Sequence, residues 1–159
     1  LRGEITLTPA ALALARAQLE RPTPRLALGR TLRGIASSAI DVSDGLVGDL
    51  GHVLAASSVG AAIDTAPLVQ VLADSLPSPG SDPHLSEDDL RTAALSGGDD
   101  YELAFTAAPG LRAAVLATAQ ASGTPVTRVG HIEAAPGLRL LGADGQPISP
   151  HYRSFDHFA

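Results

Sequence analysis

Asp41, Ser43 and Asp44 fall within four residues, in the stretch Ser37-Ser38-Ala39-Ile40-Asp41-Val42-Ser43-Asp44-Gly45-Leu46. There an apolar run ends in two carboxylates and a hydroxyl, then turns through a glycine into a helical pattern. Mg²⁺ takes hard oxygen ligands and keeps several waters, so one or two carboxylates per ion suffice when phosphate supplies other donors. The Ser43 hydroxyl could donate to a phosphate oxygen. A second acidic stretch follows, Gly97-Gly98-Asp99-Asp100-Tyr101-Glu102-Leu103. Its glycines let backbone approach a ligand closely, and its adjacent acids repel unless a cation or a positively charged ligand relieves them. Together the two stretches point to metal-assisted phosphoryl chemistry. Spacing alone leaves a plainer reading open, in which Asp44 caps a helix and the second stretch is a polar turn with Glu102 on the solvent face.

Other chemistries are excluded residue by residue. Counted from Asp41, an EF-hand would need Gly at its sixth position and Glu at its twelfth, where this chain has Leu46 and His52. A phosphate-binding loop of the Gly-x-x-x-x-Gly-Lys type needs a lysine, and the chain has none. No Gly-x-Ser-x-Gly nucleophile motif occurs. The five histidines, His52, His84, His131, His151 and His157, show no zinc-ligand spacing.

The elements that must carry these residues alternate between helix and strand. Thr8-Pro9 opens a capped helix over Ala10 to Leu19. The prolines of Arg21-Pro22-Thr23-Pro24-Arg25 break it before a short helical segment near Leu26 to Leu32. Ser38 to Val42 reads as a buried strand. Leu46, Val47, Leu50, Val53 and Leu54 recur at helical spacing, with Asp44 just ahead of them. Gly60 to Asp64 is a second strand, and Pro77 to Pro83 a loop rich in breakers. Ser86-Glu87-Asp88-Asp89 opens a helix with acids suited to its dipole. Strands are expected over Tyr101 to Ala107, Val126 to Ile132 and Leu138 to Leu141, a helix over Leu111 to Ala121, and a turn at Gly142-Ala143-Asp144-Gly145. The pattern predicts an α+β fold, a layered α/β sandwich with a mixed sheet.

Bulk properties narrow the partners. The 159 residues suffice for one domain with a sizeable core. The formal charge of −6, with every basic residue an arginine, leaves no basic stripe interleaved with aromatics, so nucleic acid is not an expected partner. No apolar run reaches bilayer length. The absence of cysteine excludes disulfides and thiolate chemistry and fits a cytoplasmic protein. With no methionine anywhere, Leu1 is not expected to be a translation start, and the chain reads as part of a longer protein.

Four segments in fixed order carry a resemblance: Arg21 to Arg25, Ser37 to Leu46 with Asp49-Leu50-Gly51-His52, Gly97 to Phe105, and Phe155-Asp156-His157-Phe158. From about Thr8 onward the chain resembles the C-terminal half of the thiamine-monophosphate kinase family. That family lies in the wider aminoimidazole ribonucleotide synthetase-like superfamily. The resemblance implies that residues 1–159 are the C-terminal domain of a two-domain kinase. Its N-terminal ATP- and metal-binding domain, absent from this chain, would carry a homodimer interface. It implies transfer of the γ-phosphoryl of ATP to thiamine monophosphate, with Asp41 and Asp44 as Mg²⁺ ligands and Ser43 as an ATP contact. Asp99 would lie at the substrate position and Phe155 would wall the thiamine. Relatives usually carry Glu where this chain has Asp99. A second reading is another ATP-dependent synthetase of the superfamily, against which Gly97 to Leu103 and Phe155 to Phe158 argue, and a non-catalytic ligand-binding or assembly module is the alternative from a different class.

Overall fold

Helix and strand boundaries follow local chemistry closely in the computed structural model, which describes residues 7–77, 85–148 and 152. Helix α1 (Pro9–Glu20) starts where Pro9 needs no amide partner and the Thr8 side chain accepts from the Ala11 amide. Helix α2 (Leu26–Thr31) follows the proline-rich break and buries Leu28. Strand β1 (Ala36–Val42) leads through residues 43–45 into α3 (Leu46–Ser57), and β2 (Gly60–Asp64) follows. Next come α4 (Thr65–Ser75), α5 (Glu87–Ser96), β3 (Glu102–Ala107), α6 (Arg112–Ser122), β4 (Gly130–Glu133) and β5 (Gly137–Leu141).

The strands form two sheets. One is the antiparallel pair β1-β3, with Asp41 opposite Leu103 and Val42 opposite Glu102. The other is mixed, in the order β4-β2-β5, with β2 antiparallel to β4 and parallel to β5. Helix α3 touches β1, β2, β5 and α5, and so joins the two sheets. Its Leu46, Leu50 and Leu54 recur every four residues, which sets them on one face. They bury against Val42, Ala61, Ile63, Leu95 and Leu140. Each such leucine contributes about 2 kcal/mol by burial, enough to anchor the N-terminus of α3 beside the end of β1. The α+β sandwich with a mixed sheet is the expected architecture.

Four boundaries depart from expectation. Helix α4 is additional: Pro67 in its first turn masks a helical segment that Asp64 caps by accepting the Ala66 amide. Strand β4 covers only Gly130–Glu133 because its partner residues in β2 run only from Gly60 to Ile63. Strand β3 begins at Glu102 because Tyr101 has φ 52°, outside the extended region. A single 3₁₀ turn, Pro109–Leu111, precedes α6 and delays its start to Arg112. The turn at Gly142 to Gly145 closes as expected, the Gly145 amide donating to the Gly142 carbonyl.

Candidate functional site

The two acidic stretches meet through their backbones. The Asp99 amide donates to the Ser43 carbonyl at 2.8 Å and the Tyr101 amide to the Val42 carbonyl at 3.0 Å. The loop between α5 and β3 therefore lies along the turn between β1 and α3. This brings Ser43, Asp44 and Asp99 onto one pair of adjoining loops, with Asp41 near the end of the strand that leads into them. Phe155, with Asp156, His157 and Phe158, lies outside the described residues, as does the loop beyond Pro77 as far as His84.

Close approach of the loops requires glycine at two places. A Cβ on Gly98 would stand 2.6 Å from the Ser43 carbonyl oxygen, which allows no side chain. Gly45 has φ 111° and would set a Cβ 3.1 Å from the Ser96 backbone. The Gly97-Gly98 pair lets the protein's own chain approach closely, at the Ala93 and Ser43 carbonyls.

Each carboxylate has a distinct environment. Asp41 is exposed at the end of β1, beside buried Val42. Asp44 is partly buried in the turn, while Gly45 takes the N-cap position of α3. The carboxylate that accepts the turn's amides is Asp49, one turn into α3: its Oδ2 receives Ser43 N at 2.9 Å and Asp44 N at 3.0 Å. Asp49 entered the sequence reading only as part of a motif. Its signal was an acid among apolar residues in a first helical turn, where helix N-termini favour negative charge.

Glu102 keeps nearly half of its side chain exposed, yet it is not a free surface acid. It forms a two-pronged ion pair with Arg25, Nε to Oε2 at 2.9 Å and Nη2 to Oε1 at 2.6 Å, which ties the proline-rich segment to the start of β3. Sequence reading could not pair residues so far apart in the chain.

The second acidic loop is strained and charged. Asp99 and Tyr101 both adopt left-handed backbone, φ 63° and 52°. Aspartate tolerates that region far better than most side chains, which suits Asp99 to its position. Such conformations cost about 1–3 kcal/mol each and cluster at ligand sites. Burial, then the charges of Glu102 and Asp99, push the Asp100 carboxyl up to about 6.

That shift has a defined effect on stability. In the unfolded chain Asp100 releases its proton near the ordinary value of about 4, while the folded protein holds it to about 6. Between these values the folded state binds more protons, so this group's contribution falls as pH rises through the window. Replacing Asp100 with Asn is expected to raise the melting temperature by a few degrees at about pH 7.5, with the gain vanishing near pH 4. Melting curves across that range check it, and a gain independent of pH would contradict it.

The donor chemistry suits a hard cation in part. Among the described residues no group of three or more His, Asp or Glu gathers as a metal cage. Asp41 and Asp44 remain as oxygen donors of the kind Mg²⁺ takes one or two at a time, alongside phosphate and water. Of the histidines, His52 is exposed on α3 and His131 pairs with Glu133. No helix among the described residues is long and apolar enough to cross a membrane.

Comparison with known proteins places these loops in a family context. The model of the family described as AIR synthase related protein, C-terminal domain, matches residues 8–142. The thiamine-monophosphate kinase of Salmonella typhimurium strain LT2 is 42% identical over 141 residues, which cover 87% of this chain and 41% of that protein. The crystal structure of thiamine-monophosphate kinase from Stenotrophomonas maltophilia K279a is 44% identical, with TM-score 0.70, covering 90% of this chain and 42% of that one. The structure of AaThiL complexed with AMPPCP and TMP is 26% identical, with TM-score 0.62, covering 95% of this chain and 43% of that one. The chain thus spans less than half the length of the relatives it matches.

Proposed function

The chain belongs to the AIR synthase related protein family, matching its C-terminal domain, and on that footing we propose that it forms part of a thiamine-monophosphate kinase. The reaction is transfer of the γ-phosphoryl group of ATP to thiamine monophosphate, giving thiamine diphosphate and ADP. The observation that carries this reading is the backbone pairing of the Asp41–Asp44 turn with the Asp99–Tyr101 loop, in a chain 42% identical to a thiamine-monophosphate kinase. An AaThiL structure complexed with AMPPCP and TMP supports a nucleotide and a TMP as the two ligands.

Each residue has a role in that reaction. Asp41 and Asp44 would hold Mg²⁺, which supplies neutralising charge as the phosphoryl group passes between oxygens. The Ser43 hydroxyl donates to a phosphate oxygen of ATP. Asp99, on the adjoining loop, contacts thiamine monophosphate, and Phe155 walls the thiamine. The chain's own contribution is positional: two loops bonded to each other keep the nucleotide side and the acceptor side in fixed relation. Phosphoryl transfer depends on such positioning and charge placement more than on covalent chemistry by the protein.

The remaining metal ligands and nucleotide contacts come, in this reading, from an N-terminal domain that also forms a homodimer. The full protein works in the cytoplasm, without nucleic acid or membrane partners. Thiamine diphosphate formation by the full-length protein and by residues 1–159 alone, with ATP and Mg²⁺, tests this division. Turnover by the full-length protein only is the expected result. Activity of residues 1–159 alone would overturn the division of the site. Absence of Mg²⁺-dependent ATP turnover in the full-length protein would favour a binding or assembly module.

A further inference from the structure

Asp49 is the one buried charged side chain among the described residues, 5% exposed within the first turn of α3. A carboxylate removed from water needs compensation. Asp49 finds it in the backbone amides of Ser43 and Asp44, both donating to Oδ2. Hydrogen bonds to an ionised acceptor are among the stronger ones in proteins. The same turn is gripped from its other side, where the Ser43 carbonyl accepts from Asp99 and the Val42 carbonyl from Tyr101. Ser43 is therefore held at its amide by Asp49 and at its carbonyl by the second acidic loop. That second loop contains two left-handed residues, which persist only where surrounding structure over-determines them.

We propose that Asp49 is a positioning residue that shapes both acidic loops without touching metal, nucleotide or acceptor. Its Oδ2 is committed to two amides and its side chain is shut away from solvent, whereas Asp41, one residue before the last residue of β1, is exposed. Losing the carboxylate frees the turn, and the freed turn loosens the Asp99–Tyr101 loop through their shared backbone bonds. The consequence for catalysis rests on the kinase reading above; the consequence for loop order does not.

The test is amide hydrogen exchange on the full-length protein, free of metal and nucleotide, comparing wild type with Asp49→Asn and Asp49→Ala. Peptides spanning residues 42–46 and 97–102 are followed, together with melting temperature and Mg²⁺-dependent turnover. Asn keeps the size of the side chain while losing its charge, so it reports on the bonds even where the Ala variant fails to fold. Exchange is expected to speed by about tenfold in both segments of the Asn variant, with a fall in kcat/KM. Faster exchange confined to residues 42–46 would overturn the coupling of the loops. Unchanged exchange would overturn the positioning role whether turnover collapses, the signature of a direct ligand, or stays at the wild-type rate. Because exchange is read without substrate, a wild type lacking kinase activity would sink the functional reading and leave this result standing.

Discussion

Gly45→Ala is expected to destabilise the protein by about 3 kcal/mol and lower its melting temperature by on the order of 10 °C. Two costs add at this position. With φ 111° and ψ 141°, the backbone sits where L side chains are rarely found. The new methyl would also stand 3.1 Å from the Cα and carbonyl carbon of Ser96. Those are backbone atoms at the end of α5, where the Gly97 amide already bonds the Ala93 carbonyl, so they have little room to yield. Relief would come from parting the turn and the second loop, which separates Asp44 from Asp99. Stability and turnover therefore fall together. Gly51→Ala is the internal control. It lies within α3, where an added Cβ meets nothing within 4 Å, and Ala is favoured over Gly in a helix by about 1 kcal/mol. Thermal melts of both variants check the contrast, and equal tolerance at the two positions would contradict it.

How legible this arrangement was in the sequence depends on the range of the interaction. Strand β1, helix α3 and the caps of α1 and α5 are written in neighbouring residues: apolar spacing, Thr8 before Pro9, and the Ser86 to Asp89 capping box. The candidate residues Asp41, Ser43, Asp44 and Asp99 were also visible, because acids and a hydroxyl beside glycines stand out against apolar surroundings. What connects them was not. Asp49 serves residues five and six positions back, and a side chain reaching from a helix onto the preceding turn leaves no periodic trace. The Arg25–Glu102 pair spans 77 positions, so only the packed fold brings it together. Gly98 shows the same limit from another side. Its small size was apparent, but whether that space serves a ligand or the chain's own Ser43 carbonyl depends on tertiary contact. Helix α4 escaped because Pro67 reads as a breaker unless its place in a first turn is known.

The second large effect is expected at Asp41. Its side chain is exposed and lies at the end of a strand whose core anchor is the neighbouring Val42. Replacement by Asn keeps the shape, so folding and melting temperature are expected to stay near wild type. If Asp41 holds the cation that accompanies ATP, loss of its charge removes stabilisation where negative charge moves in the transition state. The expected loss in kcat/KM is about 100-fold or more, partly offset at high Mg²⁺. This separation of activity from stability distinguishes a ligand at the rim of the site from Gly45, where the two fall together. The direct measurement is thiamine diphosphate formation from ATP and thiamine monophosphate by the full-length protein, with Asp41→Asn assayed beside wild type across a Mg²⁺ titration. The kinase account predicts an active wild type and an Asn variant at about one hundredth of its kcat/KM with an unchanged melting curve. An inactive wild type, or an Asn variant as active as wild type at every Mg²⁺ concentration, would contradict it.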